Sequence, residues 1–159
     1  LKIWSYIEKD KDFDEWILRI VGDGPDMAIT KELSNQLQIK HIIFEGFKNP
    51  RKYYNYASIF MMTSAFEGFG MTLVEAQQYA IVPMAMDTYS SLHDIIKNEY
   101  NGIIVSDNDI KGYVEKLKKL MADKEYRKRL AMNGLESCKK FAVEFIANQW
   151  ENLFTKLYK

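Results

Sequence analysis

A doubly wound parallel α/β domain is predicted by three features of this 159-residue chain. Short apolar runs alternate with amphipathic ones. The apolar runs show no polar alternation, and glycines sit where two of them give way to helical patterns. Strand-helix alternation implies a parallel sheet with helices on both sides, and strands without a polar face are strands buried on both faces.

The elements follow in order. The chain opens in a helical pattern, LKIWSYIEKD, with Ile3, Trp4 and Ile7 at helical spacing. Beginning at Leu1, inside a helix and without a methionine, predicts a piece of a longer protein. Strands are predicted at 17–21 (ILRIV), 41–44 (HIIF), 59–63 (IFMMT), 82–86 (VPMAM) and 102–105 (GIIV). Between them lie helices from Asp26 to Leu37, near Tyr53 to Tyr56, from Thr72 to Tyr79 and from Ser91 to Lys97. After the last strand Ile110, Tyr113, Val114, Leu117, Leu120 and Met121 share one helix face, with Asp109 as cap. From Lys124 onward there is no strand signal, only two helical patterns broken near KKFAVEF. The second pattern puts Ile146, Trp150, Leu153 and Leu157 on one stripe that needs a partner surface. Residues 1–141 are therefore expected to form the ligand-binding domain. Residues 142–159 are expected to form a helix packing on that domain or toward a missing one.

Composition narrows the functions. Twenty-two Lys and Arg balance 22 Asp and Glu, so no net charge favours nucleic acid or another polyanion, and an anionic ligand must be held locally. One cysteine, Cys138, excludes an internal disulfide and a cysteine-based zinc site and fits a reducing compartment, with cytoplasm as the default. No run approaches 18 apolar residues and the first residues lack a signal-peptide pattern, so no membrane insertion by this domain is expected.

In such sheets ligands sit at the carboxyl ends of the strands. Two candidate loops lie there. In IVGDGPD, Gly22 and Gly24 permit a tight turn and close backbone approach ahead of a helix N-terminus. It is not a dinucleotide fingerprint, because Met27 stands where the third glycine belongs, which disfavours an NAD-linked oxidoreductase. A glycine turn with Asp23 or Asp26 as helix cap explains the same residues. In AFEGFGMTLVEAQ, Glu67 stands at a strand's carboxyl end and Glu75 about one turn into the following helix, with Gly68 and Gly70 between. Free N–H groups near Gly70 to Leu73 suit a phosphate, and the two carboxylates suit sugar hydroxyls and a ribose diol.

Other signals have structural explanations. DND at 107–109 imitates a metal-binding D-x-D, but Asp109 is a ready N-cap, so no metal is expected. His41 reads as a strand-edge residue and His93 as a loop residue near the sugar pocket. RKYYNY at 51–56 reads as a helix against the sheet.

Taken in order, IVGDGP, IIFEGF, YNYASIFMMTSAFEGFGMTLVEAQQYAIVPMAM, DII, NGIIV and QWENLFTKLY resemble the C-terminal domain of the family 4 retaining glycosyltransferases of GT-B architecture. The similarity runs from about Trp16 to the end, and its central E-x7-E element is Glu67 to Glu75. The resemblance implies a Rossmann-like donor domain in which Glu67 is the catalytic-site glutamate touching the donor sugar and Glu75 binds the ribose. Phe69, Gly70, Met71 and Thr72 are implied to meet the sugar and diphosphate through backbone N–H groups, while Gly22 and Gly24 let the donor approach the first loop. It further implies a UDP- or GDP-sugar donor, a glycan or lipid-linked acceptor and no metal or other cofactor. It implies, too, an acceptor-binding N-terminal domain, and a first strand whose loop carries the cations for the diphosphate, all expected to lie before Leu1. Peripheral membrane association would belong to that absent half, and the fragment alone is expected to be inactive.

Three departures stand out. Ser90, Ser91 and Asp94 occupy places where the family often has a glycine pair and a glutamate, and Ala80 stands where a glycine is usual, which reads as a packing change. The competing class is a non-enzymatic nucleotide-binding or regulatory domain, which needs a ribose ligand but no carboxylate at a sugar.

Overall fold

The computed structural model describes residues 1–158. The elements run α1 (Lys2–Ile7), β1 (Leu18–Val21), α2 (Met27–Gln36), β2 (Ile42–Gly46), α3 (Arg51–Tyr54), β3 (Ile59–Met62), α4 (Met71–Gln78), β4 (Val82–Asp87), α5 (Leu92–Ile95), β5 (Ile103–Ser106), α6 (Ile110–Ala122), α7 (Lys124–Ser137) and α8 (Val143–Leu157). Short 3₁₀ turns at Lys11–Phe13 and Cys138–Phe141 complete them. All five predicted strands form, each within two residues of its expected bounds.

Every strand pairing is parallel. β1 lies against β2 with Leu18 opposite Ile42, and a separate ladder runs β3-β4-β5 with Ile59 opposite Val82 and Met84 opposite Ile103. The period of two along each strand divides its residues between two cores. On one face Val82, Met84, Met86, Ile103 and Val105 meet Ile3, Trp4 and Ile7 of α1 and Tyr113, Leu117 and Leu120 of α6. On the other, Met62 and Ala85 meet Leu73 and Val74 of α4, Leu92 and Ile95 of α5, and Ile96 just beyond.

The expectation of strands buried on both faces holds for β4, where Val82 to Met86 are all buried, and fails for β1 and β2. The reason lies in the sheet. β1 and β3 are not paired with each other, and a cavity of about 830 Å³ lies between them. Its lining includes Leu18, Arg19, Ile20 and Val21 in succession from β1, and Ile59, Phe60 and Met61 in succession from β3. A strand face contributes alternate residues, so consecutive residues mean that two backbone edges look into this space.

The helical ends follow the sequence closely. The Asp109 carboxylate accepts the Gly112 N–H at 2.9 Å and starts α6, as predicted, and the Tyr113 hydroxyl donates to the Met84 carbonyl at 2.8 Å, pinning α6 to β4. Ala80, between α4 and β4, corrects the reading of a packing change: its φ is 54°, a left-handed conformation that favours glycine. None of the residues of α8 is buried, and Val143, Phe145, Trp150 and Leu157 stand exposed. Lys159, the last residue of the predicted 142–159 unit, lies outside the described residues.

Candidate functional site

The site is built on the start of α4. Gly70 caps the helix with φ 93°, and a Cβ there would stand 2.6 Å from the Tyr89 hydroxyl, so glycine is required on both conformational and steric grounds. No side chain caps α4. The Leu73 N–H turns back to the Gly70 carbonyl at 2.9 Å, while Met71 and Thr72, both exposed, offer N–H groups with no partner among the described residues. Such a helix start is an electropositive set of donors.

The loop leading into it is fastened from the loop after β4. Thr88 donates its hydroxyl to the Ser64 carbonyl at 2.6 Å, and Ser91 donates to the Phe69 carbonyl at 3.2 Å. Ser91, noted as a departure, thus acts as a tie. The Phe69 ring packs edge-on against Phe141 at 5.6 Å. Glu67 is half-buried in this loop. Burial first, then the nearby Glu67 charge, pushes the Tyr89 hydroxyl up to about 12, and that hydroxyl rests 3.3 Å from the Met62 sulfur.

Glu75, the fifth residue of α4, is half-buried and accepts the Tyr54 hydroxyl on Oε2 at 3.1 Å. Burial, followed by that hydrogen bond, pushes Tyr54 well above the ordinary tyrosine range and keeps it a donor. Across the cavity stands Gly22, with φ 142° and its N–H on the Gly46 carbonyl at 2.9 Å. A side chain at Gly22 would meet no atom within 4 Å but would be strained by that φ.

Gly22, Thr72 and Glu75 therefore line one cavity, at the carboxyl ends of β1 and β3. Gly24, Glu67, Phe69, Gly70 and Met71 are not among its lining residues. Gly24 gives its N–H to the Asp23 side chain at 2.8 Å, and Asp26 occupies the N-cap of α2 without making a side-chain cap bond. Of the two caps weighed for this turn, neither closes the helix start with a side chain.

His93 lies in α5 rather than in a loop. It pairs with Asp87 at 2.9 Å beside a second cavity of about 660 Å³ that also holds Lys97, Ser106 and Lys116, apart from Glu75. His41 is the predicted edge residue, its N–H received by Glu8 at 2.6 Å. Sequence reasoning missed Tyr54 and Tyr89. Tyr54 was hidden in a run that reads simply as a helix against the sheet. The polar stretch after β4, at a strand's carboxyl end, was the available signal for Tyr89.

Comparison with known proteins identifies the family and the fold. The chain is 29% identical over 158 residues to the amylovoran biosynthesis glycosyltransferase AmsD of Erwinia amylovora, covering 96% of this chain and 42% of that protein. It is 31% identical over 153 residues to the lipopolysaccharide 1,6-galactosyltransferase of Salmonella typhimurium, covering 91% of this chain and 42% of that one. The chain spans less than half the length of either relative. Its fold matches the crystal structure of the pneumococcal O-GlcNAc transferase GtfA in complex with UDP and GlcNAc, with a TM-score of 0.84 and 19% identity over 99% of this chain and 32% of that one. The parallel sheet with its covering helices is thus that of GT-B glycosyltransferases. Residues 1–137 match the family described as Glycosyl transferases group 1, and the chain belongs to that family.

Proposed function

We propose that this chain is the donor-binding half of a retaining glycosyltransferase that moves a sugar from a nucleoside diphosphate to a glycan or lipid-linked acceptor. The observation that carries the reading is the uncapped start of α4, with its free Met71 and Thr72 N–H groups, one turn from Glu75 on a cavity shared with Gly22. Free N–H groups at a helix start bind phosphate without a metal and stabilise a departing diphosphate. Glu75 is assigned to the ribose diol and Glu67 to hydroxyls of the donor sugar, with Phe69, Gly70, Met71 and Thr72 contributing backbone and Gly22 and Gly24 leaving room for the donor. The anomeric carbon passes through an oxocarbenium-like state, and the sugar keeps its configuration. The relatives' work on amylovoran and lipopolysaccharide supports a cell-surface glycan as acceptor. UDP, bound in the structural neighbour, is one candidate donor nucleotide and GDP the other.

The two edges facing the 830 Å³ cavity support a further parallel strand between β1 and β3 in the intact enzyme. By the pleat, Arg19 and Val21 of β1 and Ile59 and Met61 of β3 point their N–H and C=O groups into this space, because Leu18 faces β2 through the His41 carbonyl and Ser58 faces β4 through Val82. A strand there would end beside Gly22 and Glu75, and its loop is the assigned source of cations for the diphosphate. The exposed apolar stripe of α8 is assigned to the acceptor-binding domain. Without these parts the chain binds donor weakly and transfers nothing.

The test is an amide-resolved NMR titration with UDP, GDP and NAD, on the chain and on Glu75→Ala. Shifts at Gly22 to Gly24 and Phe69 to Glu75 with one nucleoside diphosphate, weakened by the substitution, are expected. Binding of NAD alone at these residues overturns the assignment.

A further inference from the structure

We infer that Tyr54, which lines the same cavity as Glu75, is a positioning residue that holds the Glu75 carboxylate ready for a ribose diol, so that discrimination between ribo- and deoxyribonucleotides depends on the hydrogen bond its hydroxyl gives to Glu75. The inference rests on the donor-site reading of Glu75.

A glutamate on a helix has a broad terminal torsion and long rotatable stem, so an unsupported carboxylate samples many orientations and must be ordered when a ligand binds. Among the described residues Glu75 has one hydrogen bond to a side chain, from Tyr54 to Oε2 at 3.1 Å. Tyr54 is itself fixed. It is 7% exposed and packs with Ala76 and Ile81. Its ring lies 5.3 Å from that of Tyr79 and 6.3 Å from that of Phe60. The hydroxyl of a ring so held keeps its place, here within hydrogen-bond reach of the carboxylate.

The remaining acceptor capacity matters. A carboxylate has about four lone-pair sites, and one neutral donor on Oε2 leaves Oε1 and part of Oε2 open. Two vicinal hydroxyls need two acceptors held at a fixed spacing and angle. Tyr54 supplies the fixed angle without supplying a competing charge: a lysine or arginine in its place would pair with Glu75 and consume the acceptors that the diol needs. Thr72 and Gly22 line the same cavity, which puts Glu75 within one lining with one of the two assigned phosphate donors.

The experiment compares binding of UDP and 2′-deoxy-UDP, and of GDP and 2′-deoxy-GDP, to the chain, to Tyr54→Phe and to Glu75→Ala. Calorimetry or NMR titration gives the affinities, and thermal unfolding shows that each variant is folded. The unsubstituted chain is expected to prefer the ribonucleotide by about tenfold, the scale of a hydrogen bond to a charged group. Tyr54→Phe keeps the ring and its packing, so it should lower ribonucleotide affinity severalfold, leave deoxyribonucleotide affinity nearly unchanged and bring the ratio toward one. Equal weakening of both nucleotides means a structural role and overturns the inference, as does an unchanged ratio. If Glu75→Ala binds every nucleotide as the unsubstituted chain does, or if that chain binds none, the donor-site reading fails and this inference with it. If Glu75→Ala weakens binding and Tyr54→Phe does not, only the positioning role falls.

Discussion

The two ladders of this domain are made of similar residues and end in different states. β4 has a strand on each side, helices above and below, and five consecutive buried residues. β1 has one partner and one open edge, and its pattern includes an exposed arginine, Arg19, tied to Glu45, which also receives the Tyr53 hydroxyl at 2.9 Å. Apolar sequence alone therefore does not bury a strand. A neighbour on each edge and a helix on each face do, and where one neighbour is absent the same kind of run stays half-exposed.

The largest expected difference follows from packing. Met84→Ala on β4 removes a fully buried side chain and should cost about 2–5 kcal/mol, whereas Ile43→Ala on β2, already 37% exposed, should cost below about 1 kcal/mol. Denaturant midpoints at unchanged slope measure both. Equal losses would break the comparison, because they would mean that the β1-β2 ladder is as tightly packed as the other.

Hydrogen exchange sharpens it within one strand. The Phe60 amide of β3 points toward β4 and the Ile59 and Met61 amides toward the cavity. The cavity-facing pair should exchange at least about tenfold faster than Phe60, since nothing in the described chain accepts their protons. Uniform protection along β3 would show that its outer edge is covered.

A third test asks whether backbone strain follows packing. Ala80 joins α4 to β4 in the closed ladder and Gln38, with φ 55°, precedes β2 in the open one. Replacing either with glycine relieves a left-handed conformation that costs an L-residue about 1 kcal/mol or more, partly offset by glycine's own entropy. Both Ala80→Gly and Gln38→Gly should raise stability by about 0.5–1 kcal/mol, and by similar amounts, because the strain is local. A gain at Gln38 alone would mean that the packed surroundings of Ala80 compensate its conformation.

How much of this was legible follows from which forces are local. Strand and helix positions could be read because periodicity and caps are local: Asp109 ahead of the Ile110-to-Met121 stripe predicts α6, and α6 begins there. The place of Glu67 and Glu75 in a loop and on the helix after it could be read from glycines between a strand and a helix, and the roles proposed for them are those the family resemblance implies. Three things could not be read. Although the resemblance implies a missing first strand, that the open edge would be that of β1 could not, because a parallel strand's neighbours are set by topology and not by its own residues. The left-handed Ala80 could not, since alanine gives no turn signal. Nor could the Tyr54–Glu75 bond, which joins residues 21 positions apart through the packing of α3 against α4.

The smallest expected effect concerns a polar tie between α6 and the turn after α1. The Lys118 ammonium of α6, which packs on the closed ladder, donates to Asp10 Oδ2 at 2.7 Å, and Asp10 also starts the 3₁₀ turn that follows α1 and precedes β1. The hydrogen bond from Lys118, then that from the Asp12 N–H, holds the Asp10 carboxyl below its ordinary value of 3.8. A depressed folded-state value means that the carboxylate form is favoured by folding, so its stabilisation is complete above the unfolded value and is lost as pH falls through the folded one. Stability of the chain should therefore decline in acid with a contribution from Asp10, and Asp10→Asn should flatten that decline while leaving the slope near neutral pH unchanged. Solvent screens this exposed pair, so the difference should be small and should shrink in high salt. Identical acid slopes for the two proteins at low salt would mean that Lys118 does not hold Asp10 in solution.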